Sequence, residues 1–136
     1  MRAAFDSFAG FDDFLAYLAV SLVLLALFVT IYVRVTPYRE IALIRQGNMA
    51  ASYSLSGSLI GFVIPLGSAV EHSVSLVDMA IWGVIAMLVQ LGAFVAVKLT
   101  IPSIARDIPE NLPAQGFFLG AFSVAVGVLN AACMSY

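Results

Sequence analysis

The sequence predicts an all-α integral membrane protein with four transmembrane helices, built as two tandem parallel-repeat helical hairpins. Three observations predict this class. Of the 136 residues, 62% are hydrophobic and only 10% are charged, whereas soluble domains carry charge on about a quarter of their residues. Four runs free of charged residues are each long enough to cross a bilayer, and the basic residues gather after alternate runs.

The charge-free runs cover residues 14–33, 46–70, 79–97 and 111–136. A helix rises about 1.5 Å per residue, so about 20 residues cross the hydrocarbon core of a bilayer. The runs are continuously apolar rather than alternating, which argues against the strands of a membrane barrel. Each run is therefore predicted to be one transmembrane helix, and residues 1–136 are predicted to form a single membrane domain.

The basic residues predict the orientation of the chain. Five of the six follow the first and third runs, and one lies near the N-terminus: Arg34, Arg39, Arg45, Lys98 and Arg106 against Arg2. Basic residues concentrate in cytoplasmic loops. We therefore expect a bacterial inner-membrane protein with both termini in the periplasm and both basic loops in the cytoplasm. Arg39, Arg45 and Arg106 either only determine this topology or also contact anionic lipid headgroups.

The two halves of the chain repeat the same spacing. Asp13 and Pro37 are 24 residues apart, as are Asp78 and Pro102, and each proline precedes a polar stretch and a helix rich in small residues. This pattern indicates a duplicated hairpin, with repeat one at about residues 12–72 and repeat two at about residues 76–136. Each copy holds two spans, so the copies share an orientation and are expected to be related by an axis along the membrane normal.

The second and fourth spans each carry a stripe of small and polar residues. Steps of 4, 3, 4 and 3 residues keep each stripe within about 80° on a helical wheel. The members are Ser54, Ser58, Gly61, Pro65 and Ser68, and then Gly116, Gly120, Ser123, Gly127 and Asn130. Small residues let membrane helices approach closely, whereas serine rows line some channels. The stripes predict helix packing, within the chain or between copies, with pore lining as the alternative.

The register of the repeat stays open. The members of the two stripes correspond at an offset of 62 residues, whereas several identical residues of the two halves correspond at an offset of 63.

Single polar and aromatic residues give further predictions. Gln90, near the middle of the third span, is predicted to hydrogen-bond to a neighbouring helix, with a place on a permeation path as the alternative. His72, the only histidine, lacks the ligand spacing of a metal site. Tyr38, Tyr136 and Trp82 are expected in the interfacial belts.

The remaining polar residues weigh against several function classes. A net charge of −2 provides no basic footprint for nucleic acid. The sequence has no catalytic motif and no phosphate-binding loop, so an enzyme is the least favoured class and no cofactor or metal is expected. Cys133 is the only ionisable residue that this interpretation places inside a span, so the usual relay of a proton-coupled transporter is not expected either.

Three stretches resemble a known family: "GNMAASYSLSGSLIGFVIPLGSAV", "SLVDMAIWG" and the ending "GVLNAACMSY". The chain is similar to the bacterial domain-of-unknown-function family 350, the YjfL-like inner-membrane proteins. The resemblance covers nearly the whole chain beyond the first dozen residues. It implies a four-span inner-membrane protein made of two hairpins, and envelope or membrane-stress proteins as partners. It carries over no activity and no catalytic or binding residue.

Together these observations predict a non-enzymatic, multi-pass inner-membrane protein that associates with membrane lipids and with copies of itself. Self-association is expected to use the small-residue stripes. The expected role is structural or regulatory, in envelope and membrane homeostasis. The alternative is a small ion or solute channel formed by several copies, because four short-looped helices pack too closely to enclose a water path alone.

Overall fold

A computed structural model describes residues 10–134 of the chain. Within this range the backbone forms four long helices and two short ones, namely α1 (Phe11–Val35), α2 (Glu40–Arg45), α3 (Met49–His72), α4 (Leu76–Thr100), α5 (Ile104–Asp107) and α6 (Pro113–Cys133). The four long helices are each long and apolar enough to cross a membrane. The predicted all-α class and the predicted four spans are therefore confirmed. Arg2 and Tyr136 lie outside the described residues.

The helix ends differ from the charge-free runs by a few residues, for local reasons. The second run begins at residue 46, but α3 starts at Met49 because the side chain of Asn48 caps it, accepting from the backbone N–H of Ala51 at 2.8 Å. Helix α6, the fourth of the long helices, begins at Pro113. Proline suits the first helical position because the N–H that it lacks would have no partner there.

The bundle has two ends, which we name by their loops. The basic end holds the α1–α3 connection (residues 36–48) and the α4–α6 connection (residues 101–112), and the acidic end holds the α3–α4 connection (residues 73–75). Both α3 and α6 start at the basic end, so they run parallel. They lie side by side and form the most extensive helix pair of the bundle. The site described below lies along this pair and at its basic end.

Two asparagines tie the basic end together, and we call them the asparagine clamp. The side-chain carbonyl of Asn111 accepts from the backbone N–H groups of Met49 and Ala50 at 2.8 and 3.1 Å. The side-chain amide of Asn48 donates to the carbonyl of Ile108 at 2.9 Å. Asn111 has φ 58°, a left-handed conformation that asparagine tolerates better than most residues. The second loop thus caps the first turn of α3.

The remaining helices pack around this pair unequally. Helix α4 contacts α1, α3 and α6, whereas the main partners of α1 are α4 and α3. Aromatic rings join α1 to its neighbours: Phe28 stacks on Phe62 of α3 with ring centroids 4.5 Å apart, and Tyr32 meets Phe94 of α4 edge to face at 5.8 Å. Only 11% of the most apolar part of α1 is buried, compared with 50% in α3. Helix α1 is therefore the peripheral member of the bundle.

Candidate functional site

Glycines bring the backbones of α3 and α6 into direct contact, and we call this contact the α3–α6 seam. A Cβ atom added at Gly57 would collide with the backbone of Gly120, and one added at Gly61 would collide with the carbonyl of Ser123. The same is true of Gly127 against the backbone of Gly61. Gly116 and Gly120 meet the backbone of α3 in the same way. Any side chain larger than hydrogen would push the two helices apart.

The structure places the two sequence stripes as follows. Eight of the ten residues are buried and line the inside of the bundle: Ser54, Ser58, Gly61, Pro65, Gly116, Gly120, Ser123 and Gly127. Ser68 and Asn130, nearest the acidic end, are half-buried. Across the seam, the Ser58 hydroxyl donates to the Ser123 hydroxyl at 3.4 Å. The stripes of one chain therefore face each other.

Gly57 belongs to the seam although it lies outside the predicted stripe. A Cβ atom added at Gly57 would collide with the Cα of Gly120, so the two backbones are in contact there. The signal in the sequence was the identity of Gly57 and Gly120 at an offset of 63 residues, which competed with the offset of 62 that relates the stripes. A wheel drawn for one helix cannot decide between these offsets, because one residue is a rotation of about 100°.

Gln90 reaches the seam from α4. Its side-chain amide donates to the backbone carbonyl of Ser123 at 3.2 Å, so it bridges α4 and α6. Gln90 is 1% exposed, and its own side-chain oxygen has no hydrogen-bond partner among residues 10–134. Near the middle of the bundle, therefore, the buried amide of Gln90 retains an acceptor without a donor. The side-chain amide nitrogen of Asn130, nearer the acidic end, is a buried donor that has no acceptor among the described residues.

A cluster of buried polar side chains continues from the seam to the basic end. We define the polar cluster as Tyr32 on α1, Tyr38 before α2, Glu40 on α2, and Ser54 and Ser58 on α3. The phenol of Tyr32 faces Ser58, and the phenol of Tyr38 faces Ser54. Neither phenol oxygen and neither carboxylate oxygen of Glu40 forms a hydrogen bond within the described chain. Five buried polar groups from four segments thus lie close together with few hydrogen bonds between them.

Glu40 is the most unusual member of the cluster, because its side chain is 0% exposed. Burial removes the carboxylate from water and raises the pKa of Glu40 to about 8. Burial likewise raises the pKa of Tyr38 well above its usual range. The other buried acid, Asp107, contrasts with Glu40, because the Ser103 hydroxyl donates to it at 2.7 Å. Glu40 is therefore a carboxyl group that favours its neutral form.

One expectation from the sequence is wrong here, and a second needs to be made more precise. Tyr38 is 6% exposed and lies inside the bundle rather than in an interfacial belt. The expectation about ionisable groups concerned the four spans, and it left out the phenol of Tyr32 on α1, which is buried; the buried acid Glu40 lies outside the spans, on α2. Cys133 itself is exposed. The chain turns back after α1, and this turn brings a segment that looks like a polar loop against α3.

The other candidates from the sequence lie at the surface. Arg39, Arg45 and Arg106 are exposed at the basic end, and a groove of about 350 Å³ beside Glu40 is lined in part by Arg39 and Arg45. His72 is exposed, and its Nδ1 lies 3.0 Å from the carbonyl of Ser68. Within residues 10–134, no group of three or more His, Cys, Asp or Glu side chains is placed to hold a metal ion.

Comparison with known proteins agrees with this architecture. The chain is 41% identical over 131 residues to the UPF0719 inner membrane protein YjfL of Escherichia coli K12, covering 96% of this chain and 97% of that protein. It is 28% identical over 119 residues to the UPF0719 transmembrane protein YshE of Bacillus subtilis, covering 86% and 89% of the two chains. No solved structure matches. The family described as Domain of Unknown Function (DUF350) matches residues 6–134, and this chain therefore belongs to that family.

Proposed function

We propose that this protein is a non-enzymatic component of the bacterial inner membrane, with a structural or regulatory role in the envelope, and that it assembles with copies of itself. The observation that carries the structural role is the α3–α6 seam. Direct backbone contact at five glycines gives one rigid helix pair inside each chain. A protein that holds membrane helices or partner proteins in a fixed arrangement needs such a rigid centre.

The position of the stripes favours packing over pore lining. Ser54 faces Tyr38, Ser58 faces Tyr32 and Ser123, and both serines are at most 1% exposed. A pore lined by them would require α3 and α6 to separate and to lose the contacts at Gly57 and Gly61. We therefore place the channel alternative second. It also follows that copies of the chain would have to associate through a surface other than these stripes.

We propose that this surface is the outer face of α1. Helix α1 is the least buried span, and its exposed face has its own row of short side chains at steps of 4, 3 and 4 residues: Ala19, Val23, Ala26 and Thr30. Short side chains permit close approach of two membrane helices. A two-fold pair of chains would bring the two α1 helices together, since identical patches meet across such an axis.

Cross-linking tests this surface. Val23 on α1 and Leu88 on α4 are 64% and 63% exposed, so they are matched for accessibility. In a Cys133→Ser background, Val23→Cys is expected to form a disulfide-linked dimer in oxidised membranes, whereas Leu88→Cys is expected to remain monomeric on a non-reducing gel. If both variants cross-link equally, or if neither does, the outer face of α1 is not the interface.

We also propose that the basic end faces the cytoplasm and that both termini are periplasmic, as the distribution of arginine and lysine favours. The exposed Arg39, Arg45 and Arg106 would then contact anionic headgroups of the inner leaflet, and each contact would contribute about 1 kcal/mol of binding free energy.

We further propose that the two hairpins arose by duplication. Parallel α3 and α6 and the equivalent asparagines at residues 48 and 111 support this proposal.

Labelling of single cysteines tests the orientation. Val74, in the acidic-end loop, is 90% exposed, and Gln46, in the basic-end loop, is also exposed. With Cys133 replaced by serine, Val74→Cys is expected to react with a membrane-impermeant maleimide added to spheroplasts, and Gln46→Cys is expected to react only after lysis. The opposite pattern would show that the basic end faces the periplasm.

A further inference from the structure

We propose that Glu40 is a proton-binding site inside the bundle, reached from the basic end and leading to a polar row that ends at Gln90. The proton is the ligand, and it binds to a carboxylate oxygen of Glu40. This inference does not depend on self-association, because every group involved belongs to one chain.

The first support is the complete burial of an acid that has no counter-ion beside it. Glu40 is 0% exposed, and neither of its carboxylate oxygens accepts a hydrogen bond within residues 10–134. The Thr36 side chain lies close enough to favour an ionised carboxylate, but burial outweighs this effect, so the charged form is disfavoured. Adding a proton removes the charge. A buried acid near or within membrane spans is therefore a functional-site hypothesis by default.

The charges around Glu40 do not provide a counter-ion. Helix α3, which packs against α2, has no acidic or basic residue between Met49 and Val70. Tyr32 and Tyr38 face Glu40 from α1 and from the α1–α2 connection, and both are phenols that carry no charge when protonated. Arg34 at the end of α1 is exposed, as are Arg39 and Arg45. Burial raises the pKa of Glu40 and outweighs the opposite effect of the neighbouring Thr36 side chain.

The second support is the row of polar groups that extends inward from Glu40. The phenols of Tyr38 and Tyr32 face Ser54 and Ser58, and Ser58 donates to Ser123, whose carbonyl accepts from Gln90. Buried apolar side chains such as Leu24, Phe62, Leu66 and Met87 surround this row in the core. Glu40 thus forms the outer end of the polar row, at the basic end of the bundle. This position suits a site that exchanges protons with the side of the membrane that the basic end faces.

The third support is a route to water. The groove of about 350 Å³ at the basic end is lined by Val33, Arg39, Glu40, Ile41, Ala42 and Arg45. This groove is open to the surface and lies directly beside α2, the helix that carries Glu40. Because α2 has only six residues and packs mainly on α3, a small movement of α2 would admit water to the carboxylate once the proton leaves.

Infrared spectroscopy of the purified full-length protein in liposomes tests the proposal directly. A protonated carboxylic acid has a carbonyl band that a carboxylate lacks. The wild-type protein is expected to show this band at neutral pH and to lose it with a midpoint near pH 8. Glu40→Gln, which keeps the size of the side chain, is expected to lack the band. Glu110→Gln, which removes an exposed acid, is expected to leave it unchanged.

Two results would overturn the assignment. The first is a carbonyl band that does not belong to Glu40. Either every carboxyl group of the wild-type protein titrates in the ordinary range, at about pH 4, or the band at neutral pH persists in Glu40→Gln. In the second, sodium chloride added at constant pH would remove the band while choline chloride at the same ionic strength would not. That result would make Glu40 a site for a metal cation instead of a proton. Melting curves of both variants at acidic pH show whether each remains folded, so a lost band is not mistaken for a lost fold.

Discussion

Gly57→Ala is expected to destabilise the protein strongly, by about 1–3 kcal/mol or more, because the new methyl group would overlap the backbone of Gly120. Backbone atoms cannot turn aside as a flexible side chain can, so α3 and α6 would have to separate along the seam. Gly61→Ala, which would meet the carbonyl of Ser123, is expected to act in the same way. The measurement is the midpoint of unfolding of the purified protein in mixed detergent micelles.

The same helix provides the matched control. Gly67 is exposed, and a Cβ atom added there has nothing within 4 Å. Gly67→Ala is therefore expected to leave stability unchanged, or to raise it by up to about 1 kcal/mol, because alanine favours helix more than glycine does. If Gly57→Ala and Gly67→Ala unfold at the same midpoint, the close contact at the seam is not part of the folded protein.

The second large effect is on the pH dependence of stability. The pKa of Glu40 is raised from its ordinary 4.5 to about 8 in the folded protein. Between these values the folded state holds a proton that the unfolded state has lost, so the stabilisation is complete below about pH 4.5 and is lost as the pH rises through about 8. The wild-type melting temperature is expected to fall across this range. The difference in free energy is on the order of a few kcal/mol.

Glu40→Gln isolates this contribution. Glutamine cannot ionise, so the melting temperature of the variant is expected to fall much less over the same range and to exceed that of the wild type in alkaline buffer. Glu110→Gln is expected to retain the wild-type slope, since Glu110 is exposed. Parallel curves for the wild type and Glu40→Gln would mean that Glu40 is equally solvated in the folded and unfolded states.

Much of the fold could be predicted from the sequence because the bilayer imposes a simple rule. A span needs about 20 apolar residues, and these runs are visible without knowledge of any contact. The helix ends required local chemistry as well, as the cap at Asn48 shows. The choice of partner for the small-residue stripes could not be predicted. A stripe specifies a face that tolerates close approach, but the same face could meet another helix of the chain, a second copy or water.

The polar cluster could not be found in the sequence for a related reason. Glu40 follows Arg39 in a segment with three arginines or lysines nearby, and such a segment reads as a solvated loop. The burial of Glu40 depends on the turn between α1 and α2 and on the position of α3. Neither the turn nor the position produces a periodic pattern of apolar residues in the sequence. Tyr32 was equally inconspicuous, because a tyrosine near the end of a span is typical of an interface. Tertiary contacts decided both positions.

The asparagine clamp also has a consequence for how the protein is made. Asn48 and Asn111 are 63 residues apart, so the whole of α3 is synthesised before the residue that caps its first N–H groups. Until then, the N–H groups of Met49 and Ala50 lack the acceptor that they have in the finished bundle. The first hairpin is thus a nascent intermediate with an unfinished helix start and an uncovered glycine face. Its maturation waits for the last helix to enter the membrane.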